Sequence, residues 1–328
     1  VATYIKGNLM QKMTRVVLAV LAVAGTTAAM AQSSVTLYGR VNTTVERQKD
    51  GDVTKTGMFN NSSRFGFKGT EDLGGGLKAG FQLESGFASD TGASAATFFG
   101  RQSEVNLSGG FGALRLGNFT AESYYATADY VSMHNHDTGS SSDALYAYVM
   151  RDVNKIAYRT PDLGGLTLEG AVSLHEQVAG GKNAVDLAAN YNLGALALGA
   201  GYTKLDDVNQ FGLRALYTFG AFTVGGYYQR DKNALVANGG ARNNFRLAGA
   251  YNLGASEFHV NVGRANSYKN VSDSAATQYT LGYNYNLSKR TKVYGFYTKV
   301  DNGSNISYQG GPAGADFSSL AVGVRHNF

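Results

Sequence analysis

The chain of 328 residues has no cysteine, no tryptophan, only two prolines and only five histidines. Without cysteine it holds neither a disulfide framework nor a thiolate metal site. Its two prolines, Pro161 and Pro312, fall in a tight turn and a long polar connection, so neither takes a donor from a hydrogen-bonded ladder. Long apolar runs are scarce and the mean hydropathy is −0.20. That excludes a helical membrane protein, whose every span needs about 20 apolar residues in a row. His134, His136, His175, His259 and His326 stand in no Gly-x-Ser-x-Gly or His-Glu-x-x-His setting, which argues against a hydrolase; no catalytic, cofactor-binding or metal site is expected. The pair His134 and His136 reads as a solvated loop feature.

The one apolar run, Val16 to Ala24, follows Lys12 and Arg15 and precedes the small-x-small triplet Ala29-Met30-Ala31. This is the pattern of a cleavable export signal, with cleavage expected after Ala31, a mature chain of residues 32–328, and an upstream extension before Met10 or Met13. Removing residues 1–31 discards Lys6, Lys12 and Arg15, so the formal charge falls from +5 to +2. The remaining basic residues are scattered singly, which excludes nucleic acid as a partner.

What the chain has in abundance is glycine (43), tyrosine (21) and phenylalanine (17), laid out with a period of two. Val35, Leu37, Val41 and Val45 share one parity, and Thr36, Tyr38, Arg40, Asn42, Thr44 and Glu46 the other. Leu320, Val322, Val324 and Phe328 alternate with Ser319, Gly323, Arg325 and Asn327 at the far end. Successive strand side chains point to opposite faces, so each such segment is a strand with one apolar and one polar face. Sixteen are expected, near 34–47, 63–72, 77–87, 98–107, 113–118, 154–160, 166–173, 185–192, 195–204, 210–219, 222–230, 243–253, 256–266, 277–287, 291–300 and 317–328. Most have the 9–11 residues that a tilted strand needs to cross a bilayer.

The connections alternate too. Gly- or Asn-rich tight turns, such as Asn192-Leu193-Gly194 and Phe219-Gly220-Ala221, take turns with mostly longer polar segments near 48–62, 88–97, 119–153, 174–184, 205–209, 231–242, 267–276 and 301–316. Short turns at one rim and long loops at the other are the asymmetry of an outer-membrane barrel. In hydrocarbon every backbone polar group must pair internally, so such strands span only as a closed sheet. The expected fold is all-β: a sixteen-stranded antiparallel transmembrane β-barrel with short periplasmic turns and long external loops, in the cell outer membrane of a Gram-negative bacterium. Sixteen strands enclose a water-filled lumen.

The third long connection, Phe119–Arg151, has no strand pattern and carries Glu122, Asp129, Asp137 and Asp143. Folded inward, it sets these acids against basic residues of polar parity on the wall, for which Arg40, Arg64, Lys68, Lys78, Arg115, Arg159 and Arg325 are the candidates. Facing charges of opposite sign select permeants by size and charge. The loop's Tyr124, Tyr125, Tyr130, Tyr146 and Tyr148 are read either as a solute track or as packing against the wall.

The stretch Ser62-Ser63-Arg64-Phe65-Gly66-Phe67-Lys68-Gly69-Thr70-Glu71-Asp72-Leu73-Gly74-Gly75-Gly76-Leu77-Lys78-Ala79 resembles the trimeric general porins of β-proteobacterial and neisserial type. Ser34-Val35-Thr36-Leu37-Tyr38-Gly39, Leu107-Ser108-Gly109-Gly110-Phe111-Gly112 and the terminal Phe328 fit the same family. The resemblance implies passive diffusion of ions and small hydrophilic solutes through a homotrimer of such barrels, each narrowed by its third loop. It further implies outer-membrane lipid as surroundings and recognition of Phe328 by the outer-membrane assembly machinery. The small basic excess points to a weak preference for anions; a substrate-specific channel is the alternative.

Overall fold

In a computed structural model, residues 34–128, 139–177 and 179–328 are described. The export signal expected in residues 1–31 lies outside them. Seventeen strands form one sheet: β1 (Ser34–Asp50), β2 (Val53–Asn60), β3 (Arg64–Gly74), β4 (Leu77–Gly86), β5 (Gln102–Gly109), β6 (Gly112–Asn118), β7 (Lys155–Arg159), β8 (Leu166–Ser173), β9 (Ala184–Leu193), β10 (Leu196–Leu205), β11 (Val208–Phe219), β12 (Phe222–Lys232), β13 (Ala241–Leu253), β14 (Ser256–Ala265), β15 (Ala276–Asn286), β16 (Thr291–Asn302) and β17 (Phe317–Asn327). All pairings are antiparallel, and all join sequence neighbours apart from β1 with β3 and the closure of β1 on β17. β2 and β3 pair with the upper and lower halves of β1. They are one stave broken at Asn61–Ser63, where Ser62 takes φ 56°, so the barrel has sixteen staves. At the closure, Gly39 and Phe328 exchange two backbone hydrogen bonds of 3.1 Å.

Two of the connections expected to be loops are tighter than their polarity suggested. Residues 48–62 are largely strand, with β1 and β2 closing as a hairpin between Asp50 and Val53. Residues 205–209 hold a two-residue turn at Asp206-Asp207. Polar composition reports exposure to water, which a strand projecting beyond the bilayer shares with a loop. The opposite rim is as expected: Gly194, Gly220 and Gly254 take φ 56–59° at the first central position of two-residue hairpins, the left-handed conformation that only glycine adopts cheaply.

The period of two separates two environments. Outward-facing Val41, Val45, Leu187, Leu213, Leu247, Val260, Leu281, Leu320 and Val322 are all exposed, an apolar surface far larger than a water-soluble monomer tolerates. Near the short-turn rim, Tyr217, Phe219, Phe222, Tyr251, Phe258 and Tyr283 form a continuous ring-to-ring belt with centroids 4.6–6.3 Å apart, suited to a membrane interface. Inward-facing Arg40, Asn42, Thr44, Glu46 and Gln48 are buried and polar. No helix among the described residues is long and apolar enough to cross a membrane; the strands cross it.

Leu247, at the middle of β13, is 67% exposed on the outer face. Leu247→Arg is expected to lower the unfolding free energy in lipid vesicles by about 2–4 kcal/mol, the cost of a guanidinium near the bilayer midplane. Equilibrium urea unfolding measures it, with the inward-facing Ala248→Ser as a variant of little effect.

Candidate pore constriction

The connection from β6 to β7 enters the lumen. Phe119, 1% exposed, starts it, wedged under Arg115 at 4.1 Å and Lys155 at 5.0 Å from its ring centre. Its N–H donates to Asp152 O at 3.2 Å, which pins the entry of the loop to its exit. A short helix, α1 (Glu122–Thr127), then packs on β9, β10 and β11. Its N-cap position is Ala121, which has no side-chain acceptor, and the wall provides one instead: Ser123 N–H donates to Asp186 Oδ1 at 3.2 Å. Near the other end, Arg214 Nη1 donates to Tyr125 O at 3.3 Å, a cation placed where the helix dipole favours one.

The returning arm runs along β12, β13 and β15, held mainly by neutral amides. Gln229 accepts from Ala147 N–H at 2.9 Å and donates to Ala147 O at 3.0 Å. Gln278 does the same for Ala144 N–H at 3.0 Å and Ser142 O at 2.8 Å. Leu145 O accepts from Arg242 Nη2 at 2.6 Å and Asn244 Nδ2 at 2.9 Å. Arg242 is itself buried against Asp231 at 2.7 Å, with Tyr268 and Tyr308 about its guanidinium at 5.0 and 5.1 Å. Ser140 Oγ donates to Glu46 Oε2 at 2.6 Å, which carries the attachment around to β1. The loop thus clings to the wall from β9 round to β1.

The expected acids and bases are only partly brought together. Glu122 pairs with Arg159 and accepts from Asn190 Nδ2 at 2.9 Å. Burial pushes the Glu122 carboxyl up from its ordinary value; Glu169 adds to this and Arg159 opposes it. Asp143 does not face the seven basic candidates: it binds Arg246 at 2.6 Å and accepts from Tyr227 OH. Burial raises its pKa, but these partners outweigh that and hold it below the usual range. Asp129 and Asp137, with Tyr130, His134 and His136, lie outside the described residues.

Among the bases, Arg64, Arg115 and Arg159 join one ladder of pairs: Arg64–Glu84 at 3.5 Å, Arg115–Glu104 at 2.8 Å, Arg115–Glu169 at 3.1 Å and Arg159–Glu169 at 2.8 Å. Arg40 lies opposite Arg64 on β1, its Nε donating to Ser62 O at 3.1 Å. Lys68 sits 5.4 Å from the ring centre of Tyr38. Lys78 lies beside the 74–77 turn opposite Asp72, and Arg325 lies two residues from the end of β17, where it donates to Asn327. The seven are spread along the height of the barrel, because parity gives the face of a residue and not its level.

Sequence reasoning missed Arg101, which binds Glu84 at 2.6 Å, and the carboxylates beneath the arginines, Glu84, Glu104 and Glu169. The three glutamates have inward parity and were legible in principle. It also missed Gln229 and Gln278, whose role depends on where the loop returns. Tyr124 stacks edge-to-face with Tyr146 and Tyr148 at 5.6 and 5.4 Å, so these rings pack the two arms of the loop on each other. Beside the loop, Arg115, Arg159, Arg214, Glu122, Tyr125 and Asn190 line a lumenal cavity of about 660 Å³.

A closed sixteen-stave barrel with polar lumen and inward loop is the architecture of a channel, and the sequence agrees. The family model described as Gram-negative porin matches residues 17–305. The chain belongs to the Gram-negative porin family. It is 34% identical to outer membrane porin protein 32 of Delftia acidovorans, over 97% of this chain and all of that one. It is 30% identical to major outer membrane protein P.IB of Neisseria meningitidis, covering 91% of this chain and 95% of the relative. Among solved structures, the anion-selective porin from Comamonas acidovorans superposes with a TM-score of 0.75 at 30% identity, over 90% of this chain and all of that one. This porin is therefore an outer-membrane channel for ions and small solutes, and not an enzyme.

Gln229→Ala removes both bonds to Ala147, an expected local loss of about 1–3 kcal/mol. The barrel is expected to stay folded while open-channel current noise rises, read by single-channel recording against the parent porin.

Proposed function

We propose that the porin is a general diffusion channel with a weak preference for anions, narrowed between its third loop and the arginine ladder on β3–β8. The observation that carries this is the depth at which each member of an ion pair lies. In the ladder the guanidinium is always the more exposed partner: Arg159 is 37% exposed over Glu169 at 2%, and Arg115 17% over Glu104 at 5%. Across the lumen on β13 the order reverses, with the loop's Asp143 12% exposed beside Arg246 at 1%. Neutral pairs oriented this way present positive charge on one side of the lumen and negative charge on the other. Low-dielectric walls strengthen such a transverse field. The 30%-identical Comamonas acidovorans porin is described as anion-selective, which supports the sign.

The resemblance to trimeric porins supports a homotrimer with Phe328 as assembly signal, embedded in outer-membrane lipid, after export with loss of residues 1–31. Equal passage of unrelated small solutes would separate general diffusion from a substrate-specific channel, which a saturable block by one solute would favour.

The test is the reversal potential of the refolded porin in a planar bilayer under a potassium chloride gradient. Anion preference with current in groups of three equal steps is expected, and cation preference would overturn the sign. Arg159→Gln is expected to cut the anion-to-cation permeability ratio by about twofold, as the most exposed member of the ladder is lost.

The raised pKa of Glu122 adds a pH dependence. On acidification Glu122 takes up its proton before an ordinary carboxylate of pKa about 4.3 does, leaving Arg159 with Glu169 as its remaining carboxylate partner. Anion preference should therefore rise as pH falls, starting above the usual carboxylate range. Glu122→Gln should show the higher preference already at neutral pH and lack that step in reversal potential against pH.

A further inference from the structure

We propose that three glycines of the inner wall, Gly199, Gly201 and Gly212, set the bore of the channel by letting α1 lie flush against β10 and β11. The proposal rests on the reading that the third loop narrows the lumen, and it names the wall residues that decide by how much.

The three form one patch. Gly201 and Gly212 are direct register partners, and Gly199 is two residues along β10 on the same face. All three are buried, and the residues that continue their face, Thr203 and Arg214, are buried as well. A Cβ at Gly199 would stand 1.8 Å from Ala126 O and 2.8 Å from Ala126 C. One at Gly201 would lie 2.8 Å from Ser123 Cβ and 2.9 Å from Ser123 O, and one at Gly212 3.0 Å from Thr127 Cβ and Cγ2. Three successive contact points of one helix, Ser123, Ala126 and Thr127, thus rest on three positions without a side chain. None of the three glycines is in the left-handed region, so the backbone accepts alanine there and only the occupied space forbids it.

What the helix carries gives the seat its consequence. Glu122 and Tyr125 project from α1 into the cavity they share with Arg115 and Arg159. Filling the Gly199 position requires the helix to retreat from the wall by about 1.5 Å to restore ordinary contact, because the obstructing atoms are backbone and cannot rotate aside. The retreat is towards the lumen, into that cavity. Lipid-facing Gly249 offers a contrast: a Cβ there meets only Val260 Cγ1 at 3.7 Å.

Single-channel conductance and the size limit for neutral sugars test the proposal on Gly199→Ala, Gly212→Ala and Gly249→Ala, each first shown to be a folded barrel by heat-modifiable electrophoretic mobility. Conductance is expected to fall by about a third to a half in Gly199→Ala, since current through a water-filled constriction follows its cross-section, and to be unchanged in Gly249→Ala. Gly212→Ala, with its looser contact, should fall less and recover in part when Thr127→Ala is added, which removes the Cγ2 and Oγ1 contacts and leaves the one to Cβ. Thr127→Ala should not rescue Gly199→Ala, where the obstacle is a carbonyl. If Gly199→Ala fails to fold, Gly212→Ala with its rescue decides alone. Unchanged or larger conductance in folded Gly199→Ala or Gly212→Ala overturns the proposal. Because the chain has no cysteine, Tyr125→Cys and a cationic thiol reagent test the underlying reading separately. Block of current there with no effect at the glycines rejects the seat alone, and no block rejects the constriction itself.

Discussion

Water cannot reach the backbone of a wall surrounded by hydrocarbon, and the rest of this structure depends on how that constraint is met. Every N–H and C=O in the wall must find a partner in the wall, which leaves no place for a sheet edge. The pairing of β1 with β17, ending on the reciprocal bonds of Gly39 and Phe328, removes the last one. Closure then fixes the meaning of the period of two: one parity faces lipid and the other faces a lumen too wide for side chains to fill. A lumen lined with Arg, Glu, Gln and Asn is costly only where those groups lack partners. The inner surface is therefore where the chemistry of the protein accumulates.

The partners come from different sources on the two halves of the barrel. On β9–β16 they come from the third loop, whose backbone is received by Gln229, Gln278, Asn244 and Arg242. The buried Arg242–Asp231 pair belongs to this half, and isolated it would recover little of its desolvation cost. Its surroundings repay it: Tyr308 OH and Leu145 O accept from the two terminal nitrogens, and two aromatic rings lie close to the guanidinium. On β3–β8 the polar side chains pair with each other, and their outer members meet the open lumen. The loop's preference for one half of the wall leaves the other half to solutes.

The fold was legible because its determinants are local. Alternation, turn glycines and segment length each follow from a few consecutive residues, and a closed membrane barrel is the one arrangement that satisfies them together. Residues 48–62 and 205–209 were misread as loops because a strand that projects into water looks polar on both faces. The candidate constriction was legible only to the level of parity. Parity placed Arg64, Arg115 and Arg159 on the inner face, but their gathering, and the separation of Lys78 and Arg325 from them, depend on strand stagger. Asp143 finds Arg246, 103 residues away, only because the returning arm lies along β13. The wall glycines were invisible for a related reason: a glycine without a turn reads as a weak strand residue until the helix that needs its space is known.

Charge counting is the weakest guide to what such a channel conducts. A formal charge of +5 for the chain says nothing of where the charges sit, and the arginine ladder is paired nearly one for one with carboxylates. An ion in the lumen responds to the nearest exposed charge more than to its partner a few ångströms deeper, since the Coulomb interaction falls with distance. A pair with its guanidinium outermost acts on that ion as a dipole with its positive end forward. Short strand-borne glutamates on the wall, overlain by longer arginines from nearby strands and the connection before β5, produce that orientation without any excess of base over acid. The difference in side-chain length between Glu and Arg, applied repeatedly on one face of a sheet, is enough to give a near-neutral wall a sign.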